Sequence, residues 1–247
     1  MGVAMKLSRL AVSADAASRL SRDELNFFGL IGQFSNDVTI LHKLVTCTFR
    51  EPEDELEHAA NGVMVSVLLK ALASKLWQGW KMVRQEVANG CLGKSAWLKQ
   101  DAPLQEAVAK LCDYYGTANV IKTIRNKFGA HYDPAKSKRQ FTGLSTADGF
   151  EVLYSDRLIN AFYVTSEVAV WSTILDTTDE PEFRRRMKKL VEQVAARSQE
   201  FLQLLNLVSR AFINHSVQDL GGTFLPVAES NVDAVSPEDA RLPLFIT

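Results

Sequence analysis

The stretch from Ser21 to Phe49, SRDELNFFGLIGQFSNDVTILHKLVTCTF, decides the fold class. Phe27, Ile31, Phe34, Val38, Leu41 and Val45 follow one another at alternating four- and three-residue steps. That rhythm lays one apolar stripe along one side of an α-helix. Ser21 with Glu24 three positions on is a capping-box signature, so the helix opens there. Glu51-Pro52 breaks the pattern near Phe49, and Glu53, Asp54 and Glu55 suit the positive end of a following helix dipole. The second helix keeps the rhythm through Val65, Leu69, Leu72, Leu76, Trp80, Val83 and Val87, as far as Asn89-Gly90. Two such stripes on a short connection are expected to pair as an antiparallel hairpin.

Outward from this pair, residues 1–20 read as a loose arm or a short helix. Residues 90–102 read as a loop with one helical turn around Trp97. Asp101 caps a third helix to about Tyr115, with Pro103 tolerated in its first turn and Gly116 ending it. Thr117 then caps a short helix carrying Val120, Ile121, Ile124 and Phe128. In QFTGLSTADGFEVLY, Asp148-Gly149 lies between two β-prone pieces and signals a small β-hairpin insertion at about 139–154. Ser155 or Asp156 reopens a helix whose Ile159, Phe162, Val168, Val170, Trp171 and Ile174 are apolar on more than one side, a pattern that suits a central position. After DTTDEP a last long helix carries Phe183, Met187, Leu190, Val194, Phe201, Leu204, Val208 and Phe212. The segment 214–247, with Gly221-Gly222, Pro226, Pro237 and Pro243, reads as an extended C-terminal arm able to wrap the bundle or a second subunit. The expected fold is all-α: an antiparallel helical bundle of about six helices over 21–213.

Composition bounds the function. A chain of 247 residues fits one large domain or two small ones. A formal net charge of −1 argues against a strongly basic nucleic-acid binder, yet a cleft needs only a few cations. Cys47, Cys91 and Cys112 are widely spaced, as expected of buried free thiols in a reducing cytoplasm. His42, His58 and His215 make no metal-ligand spacing, so neither a metal nor another cofactor is expected. No GxxxxGK[ST], GxGxxG or GxSxG element is present, which removes the common nucleotide-loop and hydrolase readings. The sequence lacks a run of about 18 apolar residues, which argues against a membrane span. Its first twenty residues lack the apolar core of a signal peptide, so a cytoplasmic location is expected.

Unusual chemistry concentrates in ANVIKTIRNKFGAHYD, residues 118–133. Arg125 offers a permanently charged fork for phosphate, and His131 is the side-chain type that titrates nearest neutrality. Asn126 can hold either of them, or a ribose hydroxyl, by donating and accepting. In an unbroken helix Arg125 and His131 would point about 120° apart. Gly129 is placed to end the helix, which lets His131 turn back toward Arg125. The plain alternative is a helix C-terminus with an exposed Arg and a His capping the final carbonyls.

Arg125-Asn126, four residues, then His131 resembles the R-polar-x4-H signature of the HEPN superfamily, helical-bundle proteins of prokaryotic toxin–antitoxin and phage-defence systems. The resemblance covers seven residues. It implies a metal-independent endoribonuclease in which His131 is the general base or acid and Arg125 neutralises charge on the phosphate. Asn126 would orient the scissile phosphate or His131. It also implies a homodimer that pairs two motifs, RNA as substrate, and an antitoxin protein as a possible regulator. Lys122 and Lys127 flank the motif and are candidate phosphate contacts. Some family members place a Tyr two residues after the His, where this chain has Asp133.

Other features compete with that site. The run Arg184-Arg185-Arg186-Met187-Lys188-Lys189 is the strongest basic cluster, but Asp176, Asp179, Glu180 and Glu182 precede it and are expected to neutralise it locally. Trp77, Trp80 and Trp171 fall on apolar stripes and read as core. The second functional reading is a non-catalytic helical module of the same fold that binds RNA or protein. A purely structural helical adaptor is the third.

Overall fold

The computed structural model describes residues 3–48, 54–128, 150–154, 161–177, 179–215, 224–234, 240 and 242–243. In chain order the elements are β1 (Val3–Val12), α1 (Ala14–Ser18), α2 (Arg22–Thr48), α3 (Glu55–Asn89), α4 (Cys91–Lys94) and α5 (Ala96–Gln100). They continue with α6 (Ala102–Gly116), α7 (Val120–Phe128), α8 (Val164–Leu175), α9 (Glu180–Asn214) and β2 (Phe224–Ala234). Six of these helices have nine residues or more, so the all-α reading holds.

The chain divides into two compact units. One comprises Met1–Thr39, Gln78–Thr117 and Gln199–Ala240; the other comprises Ile40–Trp77, Ala118–Ser198 and Arg241–Thr247. Helices α2, α3 and α9 each give a stretch to both.

In the first unit the capping box at the start of α2 is present. Ser21 Oγ accepts from the Glu24 N–H at 3.2 Å, and Glu24 Oε2 accepts from the Ser21 N–H at 2.9 Å. The other carboxylate oxygen accepts from the Trp97 indole at 2.8 Å, which ties α5 to the same cap. Burial by itself would raise the Glu24 pKa, but the hydrogen bonds from Trp97 and Ser21 outweigh it and hold the carboxyl below its ordinary value. Ring contacts fill the core: Phe201 meets Phe34 and Tyr115 edge-on at 5.4 and 5.6 Å, and Tyr115 stacks on Trp80 at 5.3 Å.

Gly79 of α3 lies under the Phe34 ring, where an added Cβ would come within 1.9 Å of the ring carbons. Phe34 is buried and held against Phe201, so it cannot swing clear. Gly79→Ala is therefore expected to cost about 1–3 kcal/mol through overpacking, despite the better helix propensity of Ala. Chemical denaturation would measure it, and a stabilised variant would contradict the account.

The ends of the chain correct the sequence reading. Residues 3–12, expected as a loose arm or a short helix, form β1, which pairs antiparallel with β2 from the expected arm. The register runs from Val3 opposite Ala234 to Val12 opposite Phe224, with a shift between Arg9 and Leu10. Leu10 stands opposite Pro226 at that irregularity, where a residue without an N–H is tolerated.

In the second unit the core gathers Val65, Leu69, Leu72 and Leu76 of α3, Ile121 and Ile124 of α7, Trp171 of α8, and Val194 of α9. By length and composition the helical stretch Glu55–Lys94 is apolar enough to cross a membrane, and under half of its apolar window is buried in the protein. Helix α8 runs from Val164, and the helix start expected at Ser155 or Asp156 lies outside the described residues. Phe162 is not helical: it pairs with Leu153, the two exchanging backbone hydrogen bonds of 2.9 Å. Those bonds use both backbone groups of Phe162, so a helix cannot include it. The rest of the expected hairpin, residues 139–149, lies outside the described residues. Along α8, Val164, Ala169, Trp171 and Leu175 are buried while Val168 is exposed, so its apolar breadth does not make every side interior.

Candidate functional site

Helix α7 is amphipathic over a short span, and that sets the geometry of the motif. Ile121 and Ile124 are fully buried. Arg125 and Asn126 follow them on the helix and are exposed. Asn119 caps this helix, its Oδ1 accepting from the Lys122 N–H at 2.9 Å. The expected cap, Thr117, instead donates through its hydroxyl to the Tyr114 carbonyl at 3.0 Å and closes α6. Both residue types cap helices, and Asn119 stands at the position from which its oxygen reaches the N3 amide.

The Arg125 guanidinium donates through Nη1 to Asn126 Oδ1 at 3.0 Å. The amide uses its acceptor on Arg125, and the exposed guanidinium has further N–H groups for an anion. Lys122 is exposed, its Nζ 5.9 Å from the Trp77 ring centroid, within cation–π range. Helix α7 packs against α8. Arg125 and Asn126 are thus brought together at a surface. His131, Gly129, Tyr132 and Asp133 lie outside the described residues, as does the Lys127 side chain.

Arg185 and Arg186 of the basic run at the start of α9 are engaged. Glu182 accepts from Arg185 at 2.7 Å and from Arg186 at 2.5 Å. Those hydrogen bonds, Arg185 first, hold the Glu182 carboxyl down at about 2. Arg186 also donates to the Leu175 and Asp176 carbonyls, closing the C-terminus of α8 where Asp176 turns left-handed at φ 54°. This agrees with the acid-paired reading for Arg185 and Arg186, with Glu182 as the acid. Trp80 and Trp171 are buried, as their stripes imply.

Two polar groupings were not legible in the sequence, because their members come from distant helices. Glu167 of α8 takes both the Ser66 hydroxyl and the Lys70 ammonium, with Lys70 Nζ at 2.7 and 2.8 Å, and the Trp171 indole donates to Ser66. Ser66 and Trp171 are each 1% exposed, so the group ties α3 to α8 rather than meeting a substrate. The other pairs His42 Nδ1 with Ser198 Oγ at 2.7 Å. Ser198 donates its proton to the Ala195 carbonyl, which leaves His42 Nδ1 as the donor of the pair.

Burial lowers the His42 pKa from its ordinary value. The unfolded chain thus binds a proton near pH 6.5 that folded His42 accepts only at lower pH. Its contribution to stability is complete above about 6.5 and is lost as pH falls toward the folded value. His42→Gln is expected to lose less melting temperature between about pH 7.5 and pH 5 than the parent. Parallel pH profiles would refute the assignment.

Among the described residues, no three His, Cys, Asp or Glu side chains converge as a metal site. The three cysteines are free, and burial raises the thiol pKa of Cys91 and Cys112. No protein-family model matches the chain, and neither a curated protein nor a solved structure is significantly similar to it.

Proposed function

We propose that the chain is a metal-independent endoribonuclease of HEPN type, with Arg125, Asn126 and His131 as its site. The observation that supports this most is the Arg125–Asn126 hydrogen bond on the exposed side of α7, three residues before the helix ends at Phe128. An aimed guanidinium at a surface suits a phosphate whose charge grows as a 2′-oxygen attacks it. His131, six residues after Arg125 in the sequence, takes the 2′-hydroxyl proton or returns one to the leaving 5′-oxygen. The oxygen–phosphorus bond that forms gives a 2′,3′-cyclic phosphate, and the bond that breaks releases a 5′-hydroxyl, with no net water consumed. Asn126 keeps the guanidinium in place. Lys122 and Lys127 add positive charge along the same helix.

In this reading the protein acts as a cytoplasmic homodimer in a toxin or phage-defence role, restrained by an antitoxin protein. The experiment is cleavage of a mixed RNA pool in EDTA by the parent, Arg125→Ala and His131→Ala. Cleavage lost in both variants, with helicity retained by circular dichroism, supports the site. Cleavage unchanged in both removes it. An inactive parent that still binds RNA points to the non-catalytic module.

A further inference from the structure

Helix α7, VIKTIRNKF, carries Lys122, Arg125 and Lys127 and no carboxylate. Several cations elsewhere are held by acids: Lys70 by Glu167, Lys110 by Glu106, Arg185 and Arg186 by Glu182. Lys122 and Arg125 differ. Among the described residues neither forms an ion pair. Arg125 donates to Asn126, and the Lys122 ammonium lies 5.9 Å from the centre of the Trp77 ring. Trp77 belongs to α3 and is half-buried, and all three residues fall in the second compact unit. Lys122 stands in the first turn of α7, the end at which the helix dipole disfavours a cation. An aromatic face attracts an ammonium through its quadrupole and does not cancel the charge, as a carboxylate would. Trp77 therefore holds Lys122 and leaves its positive charge for an anion. Lys122 and Arg125 are both exposed and three residues apart, so they leave neighbouring positions of the helix surface, with Cβ atoms about 5–6 Å apart.

We infer that Trp77 is a positioning residue of the RNA site: its ring holds Lys122 beside Arg125, so that the two cations take neighbouring phosphates of one strand. The inference rests on the RNA reading above and adds a second phosphate to it. Arg125 takes the phosphate that is cleaved, and Lys122 takes the next one along the backbone. Such a grip is blind to base identity, because phosphate contacts position a strand without reading its sequence. The ring matters because a lysine free in solvent gives up side-chain freedom when it meets a phosphate. One already laid on an aromatic face gives up less, which is the advantage of a preorganised contact. Trp77 reads from the sequence as one more residue of the α3 stripe, and only the packing of α7 against it shows the second use.

The test measures binding of the full-length protein, in EDTA and over a range of salt, to a mixed-sequence single-stranded RNA carrying 2′-O-methyl groups, which cannot be cleaved. Each phosphate neutralised on a single strand contributes about 0.7 to the slope of log affinity against log salt. Lys122→Gln is expected to lower the slope by about that amount, whatever the base composition of the strand. Trp77→Leu is expected to weaken binding roughly two- to fivefold at fixed salt, the range of an exposed cation–π contact, and Trp77→Phe, which keeps a ring face, to restore most of it. In a Lys122→Gln background Trp77→Leu should cause no further loss, because the ring acts through the ammonium. Trp77 losses that simply add to those of Lys122→Gln would show that the ring only packs, and would overturn the inference. So would a Lys122→Gln protein with the parent's slope, a Trp77→Phe protein as weak as Trp77→Leu, or a parent that does not bind the strand. Cleavage of natural RNA in EDTA is assayed alongside. Cleavage with binding that ignores Trp77 and Lys122 removes the second phosphate contact and keeps the ribonuclease; the expected binding pattern without cleavage does the reverse.

Discussion

His131→Ala is expected to slow metal-free RNA cleavage by roughly 10²–10⁴-fold, the usual contribution of a positioned general acid or base. Arg125→Ala removes the cation opposite the developing phosphorane charge and is expected to cost roughly 10²–10³-fold. The double variant should be little worse than either one, because residues that act on one transition state are not additive. The Arg125 effect should not come from unfolding, because the side chain is exposed and hydrogen-bonds its own neighbour Asn126. Asn126→Ala separates positioning from chemistry. It removes the Oδ1 acceptor and leaves the guanidinium charged, so a smaller loss of about tenfold is expected, the worth of one hydrogen bond to a charged group. Three equal losses would mean that the helix had been disturbed. An Arg125→Ala protein with the parent's rate would mean that the site lies elsewhere.

The long helices were legible because each carries its own signal locally. The α2 stripe places Phe27, Ile31, Phe34, Val38 and Val45 in the core, and its capping box forms as spelled by Ser21 and Glu24. Asp101 caps α6 through the Leu104 amide at 3.0 Å for the same reason. What failed were features that depend on a partner far away in the chain. VAMKLSR and VAESNVDA each alternate apolar or small residues with polar ones in part, a strand period, but they are more than two hundred residues apart. Neither segment shows by itself that the other will complete its hydrogen bonds. Phe162 misled differently: its spacing from Ile159 suits a helix, but its backbone is taken by Leu153. The candidate site was legible as residue types in order, and the structure adds the side-chain bond within its Arg125–Asn126 half. The exposure of Val152, Tyr154 and Tyr163 was invisible, because exposure is not written in an apolar residue.

Phe201→Ala is expected to be the most destabilising single change in the first unit, at about 3–5 kcal/mol. The ring is completely buried and touches both Phe34 and Tyr115 edge-on, so its removal takes away transfer energy and leaves a cavity lined by rigid rings. Those rings are fixed in turn, Phe34 by the backbone of Gly79 beneath it and Tyr115 by its stack on Trp80. Little collapse into the space is therefore available, which places the cost toward the upper part of the range. In urea the midpoint should fall with the slope unchanged, since the surface exposed on unfolding is nearly the same. Combining Phe201→Ala with Gly79→Ala tests the geometry more sharply. With Phe201 gone, Phe34 can tilt away from the new methyl group, so the pair should cost less than the sum of the single changes. Strict additivity would show that Gly79 and Phe201 do not press on the same ring, and a loss under about 1 kcal/mol for Phe201→Ala would show that the aromatic cluster does not hold this unit together.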